Sequence, residues 1–172
     1  MGKKKYVAYV GTYTHGTSKG IQVYDVDVEN GTLTERSEVE VSNASHLAVS
    51  KNGKYLYSIE DEGVAVFERD ENGDLSRINS VDINGMRGCY LATDVDGRYL
   101  YVAGYHDGKV TVVHTHKDGR LGSVMDGVFH KGLGSVAERN FRPHVNCVRP
   151  TPDNKYLCAV DNGIDQVKIY RI

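Results

Sequence analysis

A short marker recurs along the chain and sets its organisation. A basic residue followed by Tyr-Leu appears at Lys54, returns 44 residues later at Arg98, and appears again at Lys155. A fainter copy, in which Tyr-Val follows Lys5, lies near the start. Repeats of this size correspond to one supersecondary unit used several times, because each unit buries its apolar surface against its neighbours. We therefore expect an array of similar units.

Within each unit the pattern indicates short strands and tight turns. In the segment 20–28 the apolar side chains fall at every second position, so they share one face of a strand. The segments 63–67 and 109–113 occupy the same place in later units. Asn-Gly and Asp-Gly pairs tolerate the positive φ of a hairpin turn, and they follow at 30–31, 72–73 and 118–119. No segment shows a sustained helical period.

These observations predict an all-β fold. A four-stranded unit that repeats every ~45 residues is typical of a β-propeller with four-stranded antiparallel blades. A β-sandwich also uses short strands, but it does not require a repeat with matched turns. We expect about three and a half blades in a single partial β-propeller over 1–172. The blades are predicted near 6–41, 46–83, 89–126 and 144–172, with an irregular insertion at 127–143.

An incomplete ring of blades has two open ends. Unpaired strand edges and an uncovered apolar flank favour pairing with another chain. We expect either that the chain is the truncated, N-terminal part of a longer protein, or that it forms a homo-oligomer through its open blade edges.

Charge and composition limit the partners. The chain has 21 basic and 23 acidic side chains, which argues against a nucleic acid or a membrane surface as partner. No apolar run approaches the ~18 residues that a membrane span needs. Cys89, Cys147 and Cys158 show no metal-ligand spacing, and an odd number of cysteines suits reduced thiols. We therefore expect a cytoplasmic protein without a metal.

The repeat register also locates candidate binding residues. Aligning the basic markers places Asn43, Arg87 and His144 at one equivalent position, just before the innermost strand of each blade. Residues two apart in a strand point the same way, so we expect His144 and Asn146 to face together. Polar side chains at this position would converge beside the central channel, where propellers commonly bind ligands.

Several segments resemble the lactonase family of seven-bladed β-propellers, which includes 6-phosphogluconolactonases and fungal carboxymuconate cyclases. The resemblance runs along nearly the whole chain, and its segments are 9–14, 99–106, 142–146, 152–161, 163–165 and 167–170. Seven units of this size need about 315 residues, so the chain would correspond to the first half of such a protein. The family often has a second histidine where this chain has Asn146, which can orient a substrate but cannot act as a general base.

The resemblance implies metal-independent hydrolysis of a small lactone or phosphosugar acid in carbohydrate metabolism, such as the pentose phosphate pathway, with no cofactor. Such a site needs a base for water and donors for the developing oxyanion. His144 is the best candidate for the base, and Glu138 could act as base or orient an arginine. The substrate's phosphate or carboxylate could be held by Arg142, Arg139 and Arg87, with Asn146 as an orienting group.

Other interpretations remain open. His144 could be a structural histidine bonded to backbone, and Arg139 and Arg142 could form salt bridges that hold the 127–143 loop. The same family likeness fits a carboxymuconate-type cyclase that closes a lactone. A third possibility is a non-catalytic propeller fragment that binds a partner through its channel face or open edges.

Overall fold

Fourteen strands in four antiparallel sheets make up the part of the chain that the computed structural model describes, residues 5–135 and 141–172. Blade 1 contains β1 (Tyr6–Gly11), β2 (Gly20–Asp27) and β3 (Thr32–Glu40), and blade 2 contains β4 (Leu47–Val49), β5 (Tyr55–Ile59), β6 (Gly63–Arg69) and β7 (Leu75–Asp82). Blade 3 contains β8 (Tyr90–Thr93), β9 (Tyr99–Gly104), β10 (Lys109–Thr115) and β11 (Leu121–Phe129), and blade 4 contains β12 (Val145–Pro150), β13 (Tyr156–Asp161) and β14 (Gln166–Arg171). The predicted all-β partial propeller is confirmed.

The recurring basic marker follows a turn with left-handed backbone. The residue before each marker has a positive φ, which is 72° at Gly53, 69° at Gly97 and 57° at Asn154. Glycine adopts this conformation without steric cost, and asparagine tolerates it better than most residues. The repeat in the sequence is therefore the trace of a repeated turn between the first two strands of a blade.

A side-chain oxygen closes each of these turns. It accepts the backbone N–H of the first residue of the next strand, and the pairs are Ser50 with Tyr55, Asp94 with Tyr99, and Thr151 with Tyr156. Such local bonds give the backbone an alternative to a helix and favour the turn.

The apolar cores lie between blades rather than within them. One cluster joins blade 1 to blade 2 and includes Ile21 and Phe67, and a second joins blade 2 to blade 3 and includes Ile59 and Leu100. A third joins blade 3 to blade 4. The innermost strands β4, β8 and β12 contact one another in order and line a cleft of about 570 Å³. Each blade thus packs face to face against the next.

The outermost strand of blade 3 is longer than the sequence predicts. β11 pairs with β10 as far as the contact of Phe129 with Lys109, so it extends into the segment 127–143 that was expected to be irregular. Lys109 is buried and donates from Nζ to the carbonyls of Ile83 and Asn84 at 2.8 and 2.9 Å. This anchored start of β10 gives β11 a partner along its full length.

The two ends of the array are incomplete in different ways. In the repeat register β1 corresponds to β5, so the described part of blade 1 has no counterpart of the innermost strand β4. Blade 4 ends at β14, and its described part has no counterpart of the outermost strands β7 and β11. No helix in the described ranges is long and apolar enough to cross a membrane.

Gly97→Ala should lower the free energy of unfolding by about 1–2 kcal/mol, because an L residue with a left-handed backbone carries a steric cost of this size. A Cβ at Gly97 would meet no atom within 4 Å, so the change isolates the backbone conformation. Gly16→Ala is the control, since Gly16 has the same open surroundings without a positive φ. Urea unfolding followed by circular dichroism measures the free energy of unfolding of both variants. An equal loss of stability in the two would contradict the role of the left-handed turn.

Candidate functional site

His144 lies immediately before β12 and is fixed against blade 3. Its Nδ1 is 2.8 Å from the carbonyl oxygen of Tyr105, and its ring stacks on the Tyr105 ring with centroids 4.4 Å apart. A carbonyl can only accept, so Nδ1 carries the proton and donates. In the neutral ring Nε2 then holds the lone pair, and it has no hydrogen-bond partner within the described residues. His144 therefore has the tautomer that a general base needs, although the residue is only 4% exposed.

A glycine makes room for this histidine. A Cβ built at Gly163 would lie 2.0 Å from the Arg142 carbonyl oxygen and 2.9 Å from Cδ2 of His144. Any larger residue would push the His144 ring or the backbone before it out of place. The close approach of these two chain segments is a condition for the observed ring position.

Arg87 forms a second cluster with residues of blades 1 and 2. Its guanidinium donates to Oδ1 of Asp61 at 3.2 Å and lies over the Tyr13 ring, 5.2 Å from the centroid. Asn43 donates to the same Asp61 oxygen at 2.7 Å. The hydrogen bond from Asn43, together with the nearby guanidinium, holds the pKa of Asp61 below its ordinary value. Arg87 is thus held by an ionised carboxylate.

One loop of blade 3 contacts both candidate regions. Asp107 accepts the backbone N–H of Met86, next to Arg87, at 3.0 Å. The carbonyl of Tyr105 accepts from His144. The structure therefore brings Arg87 and His144 to the two sides of the loop 105–107, at the same end of the channel.

The remaining predicted residues have different surroundings. Arg142 is exposed, and its guanidinium lies 5.9 Å from the ring centroid of Phe141. The Phe141 ring is nearly perpendicular to the His144 ring, with centroids 6.4 Å apart. Asn146 is exposed, and the register of β12 and β13 shifts between Val145 and Cys147. This irregularity interrupts the regular alternation on which the expected common face of His144 and Asn146 depended. Glu138 and Arg139 lie outside the described residues.

Cys89, at the position equivalent to Asn146 in blade 3, lacks the properties of a nucleophile. Burial raises the pKa of its thiol to about 11. The thiol lies 3.4 Å from the carbonyl oxygen of Val145, to which it donates. A reactive cysteine needs thiolate character, so Cys89 serves packing between blades 3 and 4.

Sequence reasoning missed Tyr13, Asp61 and Tyr105, which contact the candidate residues directly. Asp61 lies seven residues after Lys54, and Tyr105 lies seven residues after Arg98, so they are equivalent in the repeat. Extending the register from the strand starts to the loop after the second strand would have found both. Within the described ranges, no group of at least three His, Cys, Asp or Glu side chains is arranged to hold a metal.

The family model described as lactonase, 7-bladed beta-propeller, matches residues 7–172. The chain belongs to this lactonase family. The predicted resemblance is confirmed, and the four blades described above fit the propeller fold that the family's description names.

Relatives of this chain include proteins named for sugar lactones. It is 37% identical over 174 residues to the 6-phosphogluconolactonase of Bacillus subtilis, covering 98% of this chain and 50% of that protein. The structure of a putative 6-phosphogluconolactonase from Bacteroides fragilis matches with a TM-score of 0.91 and 38% identity, over 99% of this chain and 49% of that one. The periplasmic gluconolactonase of Pseudomonas aeruginosa matches with a TM-score of 0.91 and 32% identity, over 98% and 50%. The chain spans about half the length of these relatives.

Asn43→Gly should raise the pKa of Asp61 toward its ordinary value, because it removes the hydrogen bond that lowers it most. Glycine accepts the positive φ of 49° at this position, so the backbone is kept. Carboxyl chemical shifts followed by NMR against pH give the value. Asp70 is the internal control, since the Asp74 backbone N–H lowers its pKa most. An Asp61 pKa that does not move while Asp70 stays constant would contradict the assigned cause.

Proposed function

We propose that the channel end at His144 is part of the active site of a lactone hydrolase of the 6-phosphogluconolactonase type. The observation that carries the proposal is the 37% identity, across 98% of this chain, to a protein named 6-phosphogluconolactonase. The tautomer and fixed position of His144 support it. The relatives' names favour opening of a lactone over the ring-closing reaction of a cyclase.

In this proposal His144 activates water. Nε2 takes a proton from a water molecule as its oxygen attacks the ring ester carbonyl, and a tetrahedral oxyanion forms. The carbon–oxygen bond of the ring then breaks, and the imidazolium returns the proton to the departing ring oxygen, which becomes a hydroxyl. The products are an open-chain alcohol and a carboxylic acid, which ionises to the carboxylate and releases its proton to the solvent. The contact of Nδ1 with Tyr105 keeps Nε2 aimed at the water throughout.

The cationic side chains have separate tasks. Arg142 is exposed beside His144 and is proposed to bind the substrate's phosphate, a group that guanidinium recognises with two parallel hydrogen bonds. Arg87 is paired with Asp61, so we assign it to holding the hydroxyls or the carbonyl of the substrate rather than a free anion. Asn146 contributes an exposed amide for orientation. Arg139 remains a candidate for binding the phosphate or carboxylate, and Glu138 a candidate for a base or for orienting an arginine.

A cytoplasmic location is part of the proposal, together with a place in carbohydrate metabolism such as the pentose phosphate pathway. Cys89, Cys147 and Cys158 are all free thiols, which suits a reducing compartment. The Pseudomonas relative is described as periplasmic, so the support comes from the thiols alone.

His144→Gln should reduce turnover of 6-phosphogluconolactone by about 10²–10⁴-fold, the usual contribution of a general base. The assay follows acid release and subtracts spontaneous opening. His116→Gln is the matched control, because His116 lies in the β10–β11 turn at the other end of blade 3 and should leave turnover unchanged. Equal turnover in the wild type and His144→Gln would overturn the role of His144.

The same assay with Arg142→Gln separates binding from chemistry. KM should rise at least tenfold for the phosphorylated lactone, since a charge-assisted hydrogen bond contributes about 1.5–3 kcal/mol. KM for gluconolactone, which has no phosphate, should stay unchanged. Arg120→Gln is the control, because Arg120 pairs with Asp118 in the distant β10–β11 turn. Equal effects on both lactones would remove Arg142 from the phosphate site.

A second proposal concerns the open faces of blades 1 and 4, which we assign to contact between two copies of the chain. On blade 4, Val167 and Ile169 are 60% and 65% exposed, and Arg171 continues the same face. On blade 1, Val10 and Leu33 are 40% and 56% exposed, and Glu35 lies on their side of the sheet. The faces are apolar and opposite in charge.

Light scattering at micromolar concentration should give the mass of a dimer or larger species for the wild type. Ile169→Lys should shift it toward the monomer, because it places a charge on the apolar face. Met125→Lys is the control, since Met125 is 58% exposed but lies on the outermost strand of blade 3. A wild type that stays monomeric, or equal shifts in both variants, would contradict association through these faces.

A further inference from the structure

A buried polar network adjoins the backbone of His144. Oδ2 of Asp161 is 2.7 Å from Nδ1 of His130, and the hydroxyl of Tyr170 is 2.8 Å from Nε2 of the same ring. The side chains of His130 and Asp161 are both fully buried. The proposed hydrolysis assigns no role to any of these three side chains, so their arrangement needs a separate explanation.

The other carboxylate oxygen of Asp161 connects this network to the candidate site. Oδ1 accepts the backbone N–H of His144 at 2.8 Å and the backbone N–H of Gly163 at 3.0 Å. These are the histidine proposed as base and the glycine that makes room for its ring. One carboxylate therefore holds both segments whose close approach sets the ring position.

The protonation of the network follows from its surroundings. Burial lowers the pKa of His130, although its hydrogen bond to Asp161 acts in the opposite direction, so the ring is neutral at neutral pH. Burial and the Asp161 charge raise the pKa of Tyr170, so its hydroxyl keeps its proton. Tyr170 then donates to Nε2 of His130, and Nδ1 of His130 donates to Asp161. Each polar atom has a partner, which fixes the rotation of the carboxylate.

We propose that Asp161 is a positioning residue for His144, and that His130 and Tyr170 hold its carboxylate in the required orientation. Asp161 acts through the backbone of His144, while Tyr105 fixes the side chain. The catalytic consequence rests on the proposed lactone hydrolysis. The effect of Asp161 on the position of the His144 ring does not rest on that function, because it concerns the ring alone.

The structure offers a matched control in blade 3. The side chain of Asp94 is also fully buried. Its Oδ1 accepts hydrogen bonds from the backbone N–H groups of Arg98 and Tyr99 at 2.6 and 3.0 Å. Its other oxygen accepts from the Asn154 amide. Asp94 closes the turn between β8 and β9, at the end of the blade opposite to His144. Loss of either carboxylate leaves buried N–H groups unsatisfied, so both alanine variants should lose stability.

The test compares Asp161→Ala with Asp94→Ala by NMR of the histidine side chains and by kinetics. In Asp161→Ala the ring of His144 should lose its single Nδ1–H tautomer, seen as averaged nitrogen shifts and a broadened Nδ1–H resonance. For an active chain kcat should fall by about 10–100-fold with KM within twofold, since a misplaced base costs turnover rather than affinity. Asp94→Ala should change neither property of His144.

Two further variants cover a failure of Asp161→Ala to fold. His130→Asn keeps an N–H donor for Asp161 and should preserve the His144 tautomer, whereas His130→Leu removes the donor and should not. Unchanged His144 signals in Asp161→Ala, or equal behaviour of the two His130 variants, would overturn the proposal. An inactive wild type whose His144 tautomer still depends on Asp161 would overturn the lactonase proposal and support this one.

Discussion

Apolar burial between neighbouring blades is the interaction on which the rest of the structure depends. A single antiparallel sheet of three or four short strands has two faces and cannot bury either one alone. Each core cluster here takes residues from two blades, as Phe67 with Ile21 and Ile59 with Leu100 show. The blades must therefore stand side by side, and the loops at their ends are brought into register.

The candidate site follows from that register. At each junction, a residue before the innermost strand of one blade meets the loop after the second strand of the preceding blade. Between blades 2 and 3 this contact is the ion pair of Arg87 with Asp61, and between blades 3 and 4 it is the stacking of His144 on Tyr105. The fold supplies one repeated geometry, and the residue type at each repeat determines whether it carries charge or a base.

The sequence predicted the strands well because their limits are set by local chemistry. A left-handed turn before Lys54, Arg98 and Lys155 is visible as a glycine or asparagine. The end of β11 could not be predicted, since it depends on the buried anchoring of Lys109 by the carbonyls of Ile83 and Asn84, in the segment between β7 of blade 2 and β8. The shift of register next to Asn146 likewise depends on how β12 pairs with β13, a contact between separate strands. The positions of Arg87 and His144 could be predicted by alignment, but their partners required the contacts between blades.

Asp94 and Asp161 show how one physical requirement serves two purposes. A buried carboxylate must be surrounded by donors, because an unpaired charge in a protein interior has a large free-energy cost. At Asp94 two of the donors come from the turn that follows it, so the result is a closed turn. At Asp161 the donors come from His144, Gly163 and His130, which lie on three separate segments. The hydrogen bonds that satisfy the Asp161 carboxylate also hold those three segments together. The carboxylate can be buried only when these bonds are made, and the same bonds set the position of His144.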